Sequence, residues 1–409
     1  MAGVGPWRSL VSASVWGTEG REFESRRPDH FENAHSFAGV GVSVSASQFT
    51  GGRVMNGVLP DSEIRDLIHQ GAISAQTEII PEQIQPASLD LRLGHKAYRL
   101  RASFLAGRGQ RIEDRLNDFQ MHEMDLGGGA VLERGCVYLV PLNERLSLPP
   151  GLTAVANAKS STGRLDLLTR LVTDDGTEFD RLPDGYSGPL YAEICPRSFS
   201  VLVRPGMRLN QLRLRRGQAV LSDQELRDLN AREPLVEGEA LIDHGLGFSV
   251  DLRPARGDLV GYRARPHSGV IDLDRIAQYP AADFWDELHT TEGRLILDPG
   301  AFYILVSRES VAIPADCAAE MAPYLAMVGE FRVHYAGFFD PGFGIGSSGA
   351  GSRGVLEVRC HEAPFVLEHG QVVGRLVYER MAARPDRLYG AGIKSNYQGQ
   401  GLKLAKQFV

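Results

Sequence analysis

Along most of the chain the apolar positions fall in short bursts rather than long helical stripes. Leu89 to Leu93, Cys136 to Pro141, Gly151 to Ala156, Leu190 to Ile194, Ser200 to Val203 and Arg208 to Leu214 predict strands. Glycine and proline punctuate them at Pro149-Pro150-Gly151, Asp184-Gly185 and Arg204-Pro205-Gly206. A later series predicts strands over Ala301 to Val306, Val355 to Arg359, Pro364 to Leu367 and Gln371 to Tyr378. Ile64, Leu67 and Ile68 share one helical face. With Asp61 or Ser62 as N-cap and Gly71 as the stop, they predict a short amphipathic helix. Glu225-Leu226-Arg227-Asp228-Leu229 echoes Glu63-Ile64-Arg65-Asp66-Leu67 and predicts another. Many short strands between turns, with few helices, predict an all-β chain of antiparallel sandwiches or barrels.

The pattern occurs twice. Ser88-Leu89-Asp90-Leu91-Arg92 returns as Ser249-Val250-Asp251-Leu252-Arg253, and Gly135-Cys136-Val137-Tyr138 returns as Gly300-Ala301-Phe302-Tyr303. Leu148-Pro149 returns as Ile313-Pro314, and Arg204-Pro205-Gly206 as Glu368-His369-Gly370. The separations are 161, 165, 165 and 164 residues, so a duplicated β-rich unit is expected, with domains at 55–218 and 219–409. One segment breaks the correspondence. The polar Lys159-Ser160-Ser161-Thr162-Gly163-Arg164 lies opposite the apolar Tyr324-Leu325-Ala326-Met327-Val328-Gly329. Two copies with different losses predict one active site shared between them. Gly342 to Gly354 reads as an extended hairpin tip. Gly390 to Lys406, polar and without a core face, reads as a frayed tail or a segment that orders over a ligand.

The totals narrow the choices. A chain of 409 residues has room for two or three domains, and 23% charged residues with a formal charge of −7 describe a mildly acidic protein. No nucleic-acid or membrane partner is expected, and any phosphate site must be local. The four cysteines are scattered without a C-x-x-C pair, so they read as small buried apolar residues in a reducing compartment. No apolar run approaches the ~20 residues that span a bilayer. The expected address is the cytoplasm. Residues 1–54 lack strand or helix periodicity and the roughly 7–15-residue apolar core of a signal peptide. Phe23-Glu24-Ser25 back-translates as TTC-GAG-TCN, like the T-arm of a transfer-RNA gene. A disordered or non-native leader is expected there, with translation from Met55.

Three segments carry candidate chemistry. Lys159 to Arg164 combines two cations, three hydroxyls and a glycine, which is what a polyphosphate needs from a short loop. Glu193 and Glu357 occupy equivalent places, each inside an apolar strand and after a glycine-bearing turn. A strand carboxylate usually points to solvent; a semi-buried one has a raised pKa and can shuttle protons near neutrality. Tyr335 to Gly344 reads as a tight hairpin in which Asp340 and Pro341 serve the turn. It also reads as a hairpin that receives a base, with backbone groups at Ala336 and Gly337 on the base edge and Asp340 on a sugar hydroxyl.

Taken together these segments resemble the dCTP deaminase branch of the dUTPase-like fold, in a duplicated two-domain form. The resemblance rests on Gln85 to Gly94, the Lys159–Arg164 loop, Gly185-Tyr186-Ser187-Gly188 through Glu193, and Arg204-Pro205-Gly206-Met207. In the second unit it rests on Ala336 through Phe343, Leu356-Glu357 and the tail from Tyr389 through Lys394 to Gln398. It implies two tandem dUTPase-like distorted β-barrel or jelly-roll domains with a few short helices. In such a family one subunit supplies an Arg-Ser-Ser loop and a following Arg for the triphosphate. The other supplies the base hairpin, a sugar Asp and a catalytic Glu, and the tail closes over the nucleotide.

Carried over by position, Lys159 stands where the family has arginine, and Ser160, Ser161 and Arg164 match, with Thr162 and Gly163 completing the loop. The sugar carboxylate falls at Asp340. In the first unit that place is Pro183, with Asp184 one residue out of register, and Asp174 to Arg181 interrupts the base hairpin. The first unit therefore resembles the phosphate half, and the second the base and catalytic half. Ala336, Gly337, Val355, Tyr389, Lys394 and Gln398 are implied to touch substrate. Glu357 is implied as catalyst, with Glu193 as the alternative, and Ser160 and Arg164 position the water.

The implied reaction is hydrolysis of dCTP to dUTP and ammonia, supplying thymidylate synthesis. A dUTP diphosphatase, a bifunctional enzyme and a non-catalytic nucleotide-binding regulator are the rivals. Zinc deaminases carry H-x-E with P-C-x-x-C. Here the sole His-x-Glu is His30-Phe31-Glu32, and no P-C-x-x-C occurs. A zinc-independent route is implied, with Mg²⁺ only as the triphosphate's counter-ion, dTTP as an inhibitor, and a homo-oligomer with composite sites.

Overall fold

The short apolar bursts become antiparallel strands in a computed structural model, which describes residues 55–323, 331–334, 337–345, 351–391 and 399–409. Ser88–Arg92, Arg208–Arg216, Leu152–Ala158 and Arg181–Leu182 lie side by side in that order. A second sheet runs Leu167–Thr173, Ser187–Pro196, Val137–Ser147, Lys96–Leu100, Gln120–Asp125. Beyond residue 245 the first order recurs as Leu246–Ser249, Val372–Arg380, Cys317–Pro323, Phe338–Phe339. The second recurs as Phe331–His334, Ser352–Cys360, Phe302–Val311, Leu259–Ala264, Trp285–His289. Even the register repeats: Arg170 lies opposite Glu193, and His334 opposite Glu357. The chain is mostly β, and Arg53–Val409 forms one compact unit.

Helices are few and local chemistry explains them. Asp61–His69 buries Ile64 and Leu67, and Gly71 follows it with φ 75°, a left-handed conformation that glycine adopts without strain. Asp61 is not the cap expected of it; Pro60 holds that place and Asp61 is the first helical residue. Its buried carboxylate is taken instead by Arg65 at 3.0 Å, Arg387 at 3.3 Å and the backbone N–H of Asp386 at 2.8 Å. Asp223–Arg232 starts at Ser222, whose backbone N–H donates to Glu225 Oε2 at 2.8 Å while Glu225 N–H donates to Ser222 Oγ at 3.3 Å. A further helix, Ile112–Phe119, was not among the elements expected, although Ile112, Leu116 and Phe119 fall at helical spacing; it covers Leu139 and Tyr191.

The halves share their largest core. Leu89, Leu91, Val140 and Leu212 pack in one cluster with Trp285, Phe302 and Ile304 from the second half. Ile271–Asp272 pairs in parallel with Val201–Val203 across the same boundary. The C-terminus joins this core, against the expectation that the tail has no core face. Leu404 and Ala405 are buried, and the Phe408 ring stands 5.5 Å from Phe284 and 5.8 Å from Trp285. Burying such aromatic surface stabilises by about 25 cal/mol per Å², enough to hold a polar segment in place. Cys195, Cys317 and Cys360 are buried and Cys136 is partly exposed, all as free thiols. Among the described residues no helix is long and apolar enough to cross a membrane.

Candidate active site

The strand Leu152–Ala158 ends where Lys159 donates its backbone N–H to Leu209 O at 2.9 Å. A single helical turn, Ser160–Gly163, follows; Thr162 and Gly163 donate to Lys159 O at 2.8 and 2.9 Å, and Arg164 to Ser160 O at 3.1 Å. This tight turn exposes the serine hydroxyls along one wall and drives the Arg164 side chain inward, where it is buried. Arg164 Nη1 donates to Lys403 O at 3.0 Å and Nη2 to Gln400 Oε1 at 2.8 Å. Facing the turn are Gly337, Asp340 and, from the strand Ser352–Cys360, Glu357. A Cβ built at Gly337 would stand 3.6 Å from Ser160 Oγ, so hairpin and loop meet closely.

The two sides enclose a cavity of about 850 Å³. Glu357 is buried in it, with Oε1 3.9 Å from Arg164 Nε. Burial pushes the Glu357 carboxyl up to about 8, against the opposing pull of the Arg164 guanidinium. Burial also raises Asp340, while Arg213 and Lys159 favour its charged form. Lys159 pairs with the buried carboxylate of Asp90, whose other oxygen lies 3.6 Å from Arg208. Such a cavity, cationic along one wall and carrying an acid of raised pKa on the other, can hold an anion and move a proton beside it.

Most residues singled out by pattern line this one cavity: Lys159, Ser160, Ser161, Thr162 and Arg164 from the first half, and Gly337, Asp340, Val355, Glu357 and Tyr389 from the second. Tyr389 donates its N–H to Pro341 O at 2.8 Å, and its ring stands 5.7 Å from Phe343. Gly163 is buried inside the turn, behind the wall. Glu193 lies elsewhere. It is buried in the other sheet of the first half and pairs with the neighbouring Arg170, whose Nε is 3.1 Å away and whose guanidinium sits 3.6 Å over the Phe179 ring. Ala336, Lys394 and Gln398 lie outside the described residues.

Pattern reasoning missed Arg213. It leaves the first half from the strand Arg208–Arg216, is fully buried, and reaches the second half. Nη1 donates to Ala319 O at 2.9 Å and Glu379 Oε2 at 3.1 Å; Nη2 lies 3.4 Å from Phe339 O and 3.3 Å from Asp340 Oδ1. The guanidinium also covers the Phe338 ring at 4.0 Å. The signal available was an arginine alternating with Leu212 and Leu214 inside a strand. Asp90, Gln400 and Lys406, also on the cavity wall, had no local signal of their role.

Known proteins resemble this chain in sequence and in fold. Residues 55–218 match the family model described as the 2'-deoxycytidine 5'-triphosphate deaminase N-terminal domain, and residues 222–408 match its C-terminal domain. The chain is similar to the crystal structure of 2'-deoxycytidine 5'-triphosphate deaminase from Agrobacterium tumefaciens. The two are 54% identical with a TM-score of 0.78, over 80% of this chain and 99% of that one. The dCTP deaminase of Haloarcula marismortui is 30% identical over 158 residues, 38% of this chain and 78% of the relative. A dUMP-forming dCTP deaminase of Methanothermobacter thermautotrophicus is 29% identical over 193 residues, 44% of this chain and 90% of the relative. With family models matched in both halves, and a relative whose sequence is largely covered, the chain belongs to the dCTP deaminase family.

Proposed function

We propose that this protein hydrolyses dCTP to dUTP and ammonia, at a site assembled from both halves of one chain. The observation that carries this reading is the convergence of the Lys159–Arg164 loop with Asp340 and Glu357 on a single cavity. Residues 55–218 and 219–409 are read as two dUTPase-like units, a reading supported by the twofold recurrence of strand order. The first has kept the phosphate loop and the second the base hairpin and acid. A site that would otherwise need two subunits then forms within one chain.

Lys159, Ser160, Ser161 and the loop backbone at Thr162 and Gly163 take the triphosphate. Gly337, with Ala336 and Val355, reads the base edge, and Asp340 accepts from the sugar hydroxyl. Tyr389, Lys394 and Gln398 close over the nucleotide. Glu357 accepts a proton as the water oxygen bonds to C4 and delivers it to N3. It then carries the remaining hydroxyl proton to the amino nitrogen; the C4–N bond breaks, ammonia leaves and the C4 carbonyl forms. A carboxyl with its pKa near 8 suits a group that must take and return a proton near neutrality. Ser160 and Arg164 hold the water, and Arg164 steadies the ionised carboxylate.

Mg²⁺ enters as the triphosphate's counter-ion and no step is routed through it. The described residues offer no cluster of three or more His, Cys, Asp or Glu that would hold a metal. The name of the Methanothermobacter relative supports a second reading, in which dUTP is also cleaved to dUMP. The deciding experiment measures ammonia and pyrophosphate from dCTP and from dUTP, after zinc is chelated and Mg²⁺ restored. Ammonia without pyrophosphate supports the proposal, and both products from dCTP support the bifunctional reading. Tight dCTP binding with neither product would leave only a nucleotide-binding regulator.

A further inference from the structure

Six basic residues line the cavity, and five have partners: Lys159 and Arg208 meet Asp90, Arg204 meets Asp272, Arg387 meets Asp61, and Arg164 is held by Gln400 and Lys403. The sixth is Lys406, whose ammonium has no hydrogen bond or ion pair among the described residues. Its backbone, by contrast, is clamped. Ala277 donates to Lys406 O at 2.9 Å, Gln407 Nε2 donates to Leu273 O at 3.0 Å, and Val409 donates to Tyr279 O at 3.0 Å. Ala405 before it is buried and Phe408 after it sits among Tyr279, Phe284 and Trp285.

The surroundings of the ammonium are unfavourable in the free protein. Burial acts first, then the charges of Lys159 and Arg208, and together they hold the Lys406 pKa below that of an ordinary lysine; Asp274 and Asp90 offset this only in part. Asp90 is already engaged by Lys159 and Arg208. A rigidly mounted, half-buried cation set against two others costs stability unless something anionic joins it. Nothing in the packing calls for a lysine at the rim of an aqueous cavity, where a neutral side chain would avoid the repulsion. Lys159, Arg208 and Lys406 thus gather positive charge on the wall of the cavity, while Arg164 attends Glu357.

We propose that Lys406 is a phosphate-binding residue of the nucleotide site, contacting the distal phosphates and setting the preference for a triphosphate over shorter chains. The inference rests on the reading of this cavity as the dCTP site. Residues 399–409 thereby supply a fixed cation to the site.

The test uses the full chain with Lys406→Met and Lys406→Arg. Ammonia release is measured with dCTP, dCDP and dCMP, and melting temperature is measured alone, with dCTP and with inorganic tripolyphosphate. One charge-assisted contact to phosphate is worth about 10–100-fold in affinity. Lys406→Met should raise KM for dCTP by that factor, erode the preference over dCMP, and shrink the melting shift caused by either triphosphate. Lys406→Arg should recover most of the effect. The nucleotide-free Met variant should melt no lower than wild type, since a repelled cation has been removed. A variant that melts lower while keeping the dCTP preference and both melting shifts overturns the proposal and makes Lys406 structural. If wild type releases no ammonia, the deaminase reading fails, yet the tripolyphosphate shift still decides the role of Lys406.

Discussion

Replacing Glu357 by Gln should leave two separate signatures, because burial governs both the stability and the reactivity of this carboxyl. Glu357 is 4% exposed, and burial raises its pKa from 4.5 to about 8 against the pull of Arg164. In the unfolded chain the group loses its proton near its ordinary value; in the folded protein it keeps it until about 8. Between those limits the folded state binds the extra proton, so this group's contribution to stability falls as pH rises. At about 1.4 kcal/mol per pKa unit, the loss sums to roughly 5 kcal/mol by pH 9. Gln has nearly the same shape and does not titrate. The melting temperatures of Glu357→Gln and wild type should therefore lie closest at pH 5 and separate by several degrees at pH 9, the variant higher.

The same substitution removes the proton carrier, and ammonia release should drop by about 10²–10⁴-fold. In wild type, kcat/KM should fall as pH drops below about 8, because the base becomes protonated; the residual rate of the variant should lack that limb. Calorimetry from pH 5 to 9 and an ammonia assay over the same range read both effects. A stability difference that does not grow with pH would refute the burial argument. Retained activity would refute the catalytic one.

The two glutamates and the serine of the loop can be told apart in one assay: Ser160→Ala should lower ammonia release by ~10²-fold or more. Glu193→Gln should retain much of the rate, since Glu193 sits outside the cavity with Arg170 as partner; the reverse pattern would move the chemistry to the first half. Arg213→Ala should destabilise by about 3–5 kcal/mol, because it strips the buried Asp340 of its paired cation and leaves the buried Glu379 with Arg215 alone. It should also raise KM for dCTP by loosening the Asp340 hairpin. Denaturant unfolding and steady-state kinetics check both, and a variant that unfolds like wild type would remove Arg213 from the account.

The short apolar bursts between glycine and proline turns determined the strands, because such runs are too short for a core helix whatever they later pack against. The internal repeat was equally legible, and the polar Lys159–Arg164 loop stood out because its counterpart in the second half is apolar. Glu193 and Glu357 show where that information ends. Their local patterns are alike and both are buried in a strand, but one meets an arginine in its own half while the other borders a cavity completed by Arg164 from the opposite half. Burial raises the Glu357 pKa against the opposing charge of Arg164 across the cavity, and the strand around it decides neither. Arg213, Asp90 and Lys406 acquire their roles the same way, from neighbours far away in the chain. The tail looked featureless because its anchors, Tyr279, Phe284 and Trp285, lie more than a hundred residues before Phe408. Local pattern determines what a segment becomes. Packing between distant segments decides what each side chain faces, and so its charge state and its chemistry.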